Sequence, residues 1–138
     1  MEVQPYLFFS GRCEEAVAFY CGSLGAEVSM LMRYKDCPDP KAAAKMPPGM
    51  GDKVMHVRFR IGDSEILAAD GPGQEEGFKG FSLCLSPKDE AEARRLFAVL
   101  ADRGKVRMEL GPTFFAACFG MVTDRYGVGW MLVVPPKA

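Results

Sequence analysis

The sequence has little of what nucleic-acid binders and membrane proteins need. Its 17 Lys and Arg residues are balanced by 18 Asp and Glu residues, which gives a net charge of -1 and no basic excess. No apolar run approaches the ~20 consecutive residues that span a bilayer. The first residues show no basic stretch, so no signal peptide is expected. We therefore predict a cytoplasmic protein with neither nucleic acid nor membrane as a partner.

The cysteines are few, scattered and odd in number. No pair has the CxxC spacing of a metal or redox site. The five are Cys13, Cys21, Cys37, Cys84 and Cys118. This pattern favours reduced thiols that act as small core residues, rather than a disulfide framework or a zinc site.

What the chain does have is the composition of one globular domain. Its 138 residues are 49% hydrophobic and 25% charged. Each half shows the order strand, helix, strand, strand, strand. The predicted strands of the first half are Val3–Phe9, Val28–Tyr34, Lys53–Ile61 and Glu65–Ala69, and those of the second are Phe81–Leu85, Val106–Leu110, Cys118–Thr123 and Val128–Val134.

This order predicts an α+β fold with two βαβββ repeats. The repeats cover residues of approximately 1–71 and 78–138 in a single domain, 1–138, and turn formers at 71–77 join them. Two such sheets side by side would form a curved eight-stranded cup, which is a natural small-molecule site. Ser86 is expected to cap the second helix with Pro87 at its first position. The proline-rich stretch 35–51 is expected to be a lid, a dimer arm or a loose excursion.

Several segments together resemble the PhnB-like proteins, a branch of the vicinal oxygen chelate (glyoxalase/bleomycin resistance/dihydroxybiphenyl dioxygenase) superfamily. The segments keep their order over nearly the whole chain. They are Val3-Gln4-Pro5-Tyr6-Leu7-Phe8-Phe9-Ser10-Gly11, Asp52-Lys53-Val54-Met55-His56, Phe78-Lys79-Gly80-Phe81 and Phe119-Gly120-Met121-Val122-Thr123-Asp124-Arg125-Tyr126-Gly127-Val128. The resemblance implies the cup-shaped fold and a homodimer. Some relatives carry a methyltransferase label, but the sequence has no Gly-rich loop for a nucleotide-like cofactor.

The resemblance also implies one divalent metal, held by His, Gln or Glu on the first and last strands of each half. The first His position falls on Pro5, which has no ligating side chain, and the last Glu position falls near Met131. Gln4 lies one residue out of phase, and Glu65 is the single candidate on the fourth strand. A divalent-metal site generally needs three protein ligands. We therefore predict no metal cofactor; the alternative is a metalloenzyme with ligands displaced to Gln4, His56 and Glu65.

His56 is the single histidine and the one candidate catalytic residue. It could act as a general base, since an unperturbed imidazole titrates near neutral pH, or it could be a strand histidine bonded to a neighbour. Arg58 shares its face and could bind a carboxylate or phosphate, or could be an ordinary surface charge.

Gln4, Tyr6 and Phe8 share one face of the first strand and are candidate ligand-binding residues. The polar content of this face predicts that it is the one without a helix. The register of the resemblance favours instead the face of Pro5, and we leave both readings open. Ser82 and Cys84 pose the same question in the fifth strand.

The remaining ligand-binding candidates are aromatic. Trp130, Phe114 and Phe115 could stack on a planar ligand or could belong to the core. Together these observations predict a metal-free protein that binds a small molecule. The alternatives are the metal-dependent lyase, isomerase or dioxygenase with displaced ligands, and a metal-free enzyme with His56 as base.

Overall fold

The computed structural model describes residues 1–44, 48–71 and 77–136, and the chain divides into two compact units, residues 1–75 and 76–138. The first unit contains β1 (Tyr6–Phe9), α1 (Cys13–Leu24), β2 (Glu27–Arg33), a 3-10 helix (Tyr34–Asp36), α2 (Pro40–Ala44), β3 (Val54–Ile61) and β4 (Ser64–Asp70). The second contains β5 (Leu83–Leu85), α3 (Glu90–Ala101), β6 (Lys105–Gly111), β7 (Cys118–Thr123) and β8 (Gly129–Val134).

Each unit is a four-stranded mixed sheet with the same topology. The strand order is β1-β4-β3-β2 in the first and β5-β8-β7-β6 in the second. In both, the first strand runs parallel to the last, and the other pairs are antiparallel. The predicted α+β fold with two βαβββ repeats is confirmed.

The duplication extends to the register of single residues. A β-bulge at Ser29 in β2 has its counterpart at Arg107 in β6, since each interrupts the pairing at the same step. Following the pairs from these bulges across each sheet gives a consistent set of equivalent positions. These are Arg58 and Met121, Glu65 and Gly129, Leu67 and Met131, Ala68 and Leu132, and Tyr6 and Cys84.

Helix α1 packs its apolar side on one face of the first sheet. Tyr20 is fully buried and its ring lies 6.2 Å from that of Phe59 in β3. Leu7 and Phe9 are on the same face, at 1% and 3% exposure. The helix ends at Gly25, which adopts the left-handed conformation (φ 71) and donates its N–H to Tyr20 O.

The N-terminus of α1 is fixed by a buried carboxylate. Asp70 at the end of β4 is 1% exposed, and its Oδ1 accepts from Gly11 N and Cys13 N, both at 2.9 Å. Its Oδ2 accepts from Val54 N at 3.0 Å. One side chain therefore connects β4, β3 and the first turn of α1.

Helix α3 covers one face of the second sheet with Ala93, Leu96, Phe97 and Leu100. The prediction that Ser86 caps this helix is wrong. The N-cap is Asp89, whose side chain accepts from Glu92 N at 2.8 Å, and the helix starts at Glu90. A carboxylate accepts this bond and also suits the positive end of the helix dipole, which explains why it caps in place of the serine.

Two strands begin later in the chain than the sequence predicts. The first strand begins at Tyr6 rather than Val3, and the fifth at Leu83 rather than Phe81. Within 35–51, the chain forms a short 3-10 helix and α2, and Lys35 N donates to Gly51 O at 3.0 Å, so the two ends of the stretch are paired. The predicted joining segment 71–77 lies almost wholly outside the described residues.

Among the residues that the structure describes, no helix is long and apolar enough to cross a membrane.

Candidate functional site

Each sheet has one face that packs against its helix and one face without a helix, which we call its open face. In the first sheet the strand pairing places Tyr6, Phe8, Arg58, Glu65 and Leu67 on the open face. Tyr6 and Phe8 are 39% and 45% exposed, whereas Leu7 and Phe9 are buried. The face predicted from the polar content of the strand is therefore the one without a helix, and the reading based on the register of Pro5 is wrong.

On this face the rings of Tyr6 and His56 are in contact, although the two residues are 50 positions apart in the sequence. Tyr6 Oη lies 2.9 Å from His56 Nδ1, and the hydroxyl donates when that nitrogen carries no proton. The Phe8 ring stacks on that of Tyr6, with centroids 4.9 Å apart. Partial burial raises the pKa of Tyr6 above its ordinary value of 10.0. Tyr6 is thus a neutral donor at physiological pH, and His56 has the hydrogen-bonding neighbour that the sequence did not reveal.

A second polar group surrounds Glu65 on the same face. Gln4 Nε2 donates to Glu65 Oε1 at 2.8 Å, and Arg58 Nε lies 3.3 Å from the same oxygen. Arg58 and Glu65 are only partly exposed, at 47% and 34% of their side chains. Arg58 is therefore already neutralised by a carboxylate.

This arrangement does not fit the divalent metal that the resemblance implies. The oxygen of Glu65 accepts from Gln4 and lies 3.3 Å from the cationic guanidinium of Arg58, whose charge opposes a second cation there. His56 Nδ1 is paired with Tyr6. Within 1–44, 48–71 and 77–136, no three His, Cys, Asp or Glu side chains are grouped so that they could hold a metal ion.

The second unit carries a cavity of about 510 Å³ on the open face of its sheet. Its lining includes Phe78, Lys79, Phe81, Ser82, Arg107, Met121, Thr123, Gly129 and Met131. Phe81 is 49% exposed, and its ring lies edge to face with Phe78 at 6.5 Å. The cavity thus combines aromatic and methionine side chains with two cations and two hydroxyl groups.

The structure brings few of the second-half candidates to this cavity. Ser82 lines it. Cys84 is exposed and pairs with Met131 across the strands. Phe114 and Phe115 are exposed neighbours in the loop between β6 and β7 but are not among the lining residues.

Trp130 borders the cavity from the core side. Its side chain is 2% exposed, and its Nε1 donates to the buried Asp124 Oδ2 at 2.8 Å. Asp124 Oδ1 also accepts from Tyr126 N and Val128 N, at 2.8 and 3.1 Å. This position favours the core interpretation of Trp130.

Sequence reasoning missed Lys79, Phe78, Phe81 and Arg107 as cavity residues. The first three precede β5, where the sequence indicated only a strand or a linker. Arg107 lies at the bulge in β6, where two residues oppose one on β7, and such bulges redirect side chains. A faint signal was present, because Lys105 and Arg107 alternate with Val106 and predict a charged face.

Solved structures place this fold in a known class. A glyoxylase/bleomycin resistance protein/dioxygenase domain from Frankia sp. EAN1pec has a TM-score of 0.68 at 12% identity, with 100% of this chain and 93% of that chain covered. This likeness shows the fold alone. The chain is thus an α+β protein with the glyoxalase/bleomycin resistance fold, as expected for the vicinal oxygen chelate superfamily.

The family follows from closer matches. The family model described as 3-demethylubiquinone-9 3-methyltransferase matches residues 1–133, and the chain belongs to this PhnB-like family. Protein YjdN of Escherichia coli (strain K12) is 36% identical over 97% of this chain and 95% of that protein. Protein PA1353 from Pseudomonas aeruginosa is 40% identical, with a TM-score of 0.87 and 99% of both chains covered. A Bacillus cereus structure titled putative 3-demethylubiquinone-9 3-methyltransferase, PhnB protein, is 28% identical, with a TM-score of 0.81, and covers 97% of this chain and 99% of that one.

Proposed function

We propose that this protein binds a small organic molecule without a metal and that the cavity of the second unit is its binding site. The cavity itself carries the proposal. Its volume of about 510 Å³ lies within the range of roughly 300–1,000 Å³ typical of ligand pockets. Its lining mixes apolar walls with a few polar groups, which is the composition that such pockets use.

The arrangement of donors in the first unit supports the metal-free part. Gln4, His56 and Glu65 are the residues to which displaced ligands were assigned, and they are engaged by Tyr6, Arg58 and one another. Elemental analysis of untagged protein tests this part. One bound metal per chain that a chelator removes, with loss of an activity, would support the metalloenzyme instead.

Methyl transfer, the activity in the family description, is not part of the proposal. Each described sheet has four strands with a single parallel pair, and the connection between β1 and α1 is three residues, 10–12. A nucleotide-like cofactor usually binds at a Gly-rich turn in an open, mostly parallel sheet.

The homodimer and the cytoplasmic location stay predictions.

Binding of a neutral aromatic dye tests the location of the site. Phenylnaphthylamine fluoresces in apolar surroundings and should bind the wild-type protein in the micromolar range. Thr123→Trp places an indole on the open face at the cavity and should abolish this signal. Ala98→Trp adds the same ring to the exposed side of α3 and should leave binding unchanged. Equal dye binding by both variants would reject the cavity as the site.

One second candidate is a metal-free enzyme with His56 as general base. The contact with Tyr6 supports it in the tautomer in which Nδ1–H donates to Tyr6 Oη, because the lone pair of Nε2 is then available to take a proton. A base of this kind exchanges the acidic C–H of a bound ketone for deuterium in D2O. His56→Gln should then abolish exchange across a panel of small ketones while the far-UV circular dichroism is unchanged. Equal exchange by the variant and the wild type would reject this candidate.

A further inference from the structure

Two cations of the cavity have no carboxylate partner among the residues that the structure describes. Lys79 and Arg107 are exposed and line the cavity. Neither makes an ion pair or a hydrogen bond with another residue of the described ranges. The described lining also contains no Asp or Glu. A concave site with charge of a single sign concentrates ligands of the opposite sign.

The first unit shows that cations without a carboxylate partner are not a general property of the fold. On its open face, Arg58 pairs with Glu65 at 3.3 Å, and Arg60 pairs with Glu27 at 3.1 Å. The position of Glu65 is held by Gly129 in the second unit, and that of Glu27 by Lys105. The repeat with the cavity therefore has no carboxylate at the two positions that neutralise arginines in the other repeat.

The rest of the lining is suited to a flat apolar group. Phe78 and Phe81 present rings at an interplanar angle of 79°, and Met121 and Met131 are adaptable side chains that contact aromatic groups favourably. Ser82 and Thr123 add hydroxyl groups that can donate to an oxygen.

We infer that the ligand is an organic anion with a planar apolar body. Its acid group, such as a carboxylate, phosphate or sulfonate, binds the guanidinium of Arg107 with the ammonium of Lys79 beside it. Its ring system lies against Phe78, Phe81 and the two methionines. The inference rests on the proposed function, since it names the class of ligand for the same cavity.

Two dyes with the same ring system test the charge preference. Anilinonaphthalene sulfonate is anionic, and phenylnaphthylamine lacks the sulfonate. The wild-type protein should bind the anionic dye at least about tenfold more tightly, because a charge-assisted hydrogen bond typically contributes that much. Arg107→Gln should weaken the anionic dye about tenfold and leave the neutral dye unchanged.

A matched control separates the local contact from net charge. Arg95→Gln removes the same charge from the exposed surface of α3 and should not alter either dye. Lys79→Gln should weaken the anionic dye less than Arg107→Gln does, since an ammonium lacks the bidentate geometry of arginine. Naphthoate and naphthyl phosphate should displace the anionic dye at lower concentrations than naphthol does, which distinguishes the two acid groups from a competitor without a charge.

The outcomes are distinct. Equal affinity for both dyes, with no effect of Arg107→Gln, overturns the inference, while loss of neutral-dye binding in Thr123→Trp would still support the proposed function. If Thr123→Trp leaves both dyes bound, the proposed function fails and this inference fails with it.

Discussion

Asp70 connects three segments of the first unit through one buried side chain. Its two oxygens accept three backbone N–H groups, from Gly11, Cys13 and Val54, at 2.9–3.0 Å and at 1% exposure. Asp70→Asn keeps the size but replaces an acceptor with an NH2 group that faces a donor. We expect the free energy of unfolding to fall by about 2–3 kcal/mol, as measured by urea denaturation.

Asp63→Asn is the matched control. Asp63 is exposed in the hairpin turn between β3 and β4, so the change should be within about 0.5 kcal/mol. A similar small effect for both variants would show that Asp70 does not hold the N-terminus of α1.

Roles such as that of Asp70 could not be read from the sequence. Its partners lie 16 to 59 positions away, and periodicity carries information only over about one element. The same limit hid the contact of His56 with Tyr6. Asp124 and Gly127 are residue types typical of the first and last positions of a turn, and Gly127 N donates to Asp124 O. The bond from Trp130 Nε1 to Asp124 has no such sequence signal.

At the scale of the element, the start of α3 is decided by its cap. Asp89→Ala removes the acceptor of Glu92 N and should lower the free energy of unfolding by about 1 kcal/mol. Ser86→Ala, at the residue that the sequence predicted as the cap, should change it by less than about 0.5 kcal/mol. Chemical denaturation of the two variants under the same conditions compares them; a larger loss for Ser86→Ala would place the cap there after all.

Two glycines in regular elements should respond in opposite directions to alanine. Gly22 lies within α1, and a Cβ there would have no heavy atom within 4 Å, so Gly22→Ala should stabilise by about 0.5–1 kcal/mol. A Cβ on Gly120 in β7 would lie 2.8 Å from Phe97 Cε2, so Gly120→Ala should destabilise by about 1–3 kcal/mol. Thermal unfolding measures both; a stabilising Gly120→Ala would show that α3 can shift away.

The sequence predicted elements better than their ends. Alternation over Val57 and Phe59 against Arg58 and Arg60 identifies β3 because one face is buried and the other is not. The starts of β1 and β5 were placed too early, since apolar residues such as Val3 and Phe81 read as strand although they are exposed. Hydrophobicity alone does not distinguish a strand residue from an exposed apolar residue beside it.

For the whole molecule, the duplication of the βαβββ unit was visible in the order of the secondary-structure elements and not in the amino-acid identities. The structure explains why, since equivalent positions share burial and not chemistry. Ala68 and Leu132 are both fully buried on the helix side. On the open faces, Arg58 corresponds to Met121 and Glu65 to Gly129. The core thus preserves the repeat, whereas the open faces have diverged. The first carries paired charges, and the second carries a cavity whose two cations have no carboxylate partner within the described part of the chain.

The folded protein should lose stability in alkaline solution because of a buried thiol. Cys13 is fully buried, and burial, with the nearby Asp70 carboxylate adding to it, raises the pKa of its thiol far above the ordinary value. In the unfolded chain the same thiol releases its proton near pH 8.5, as in model peptides. Below that pH both states are protonated and the contribution is constant. Above it the unfolded state binds fewer protons, so this group should lower the free energy of unfolding by up to about 1.4 kcal/mol per pH unit.

The comparison of Cys13→Ala with wild type isolates this effect from lysines and tyrosines that titrate in the same range. Urea denaturation between pH 7 and pH 10, with a reductant present, should give a shallower decline for the variant, although it is less stable at pH 7 because of the atom removed from the core. Cys84→Ala removes an exposed thiol and should decline in parallel with wild type. Parallel curves for wild type and Cys13→Ala would mean that the thiolate is tolerated in the folded core, which the adjacent carboxylate of Asp70 makes unfavourable.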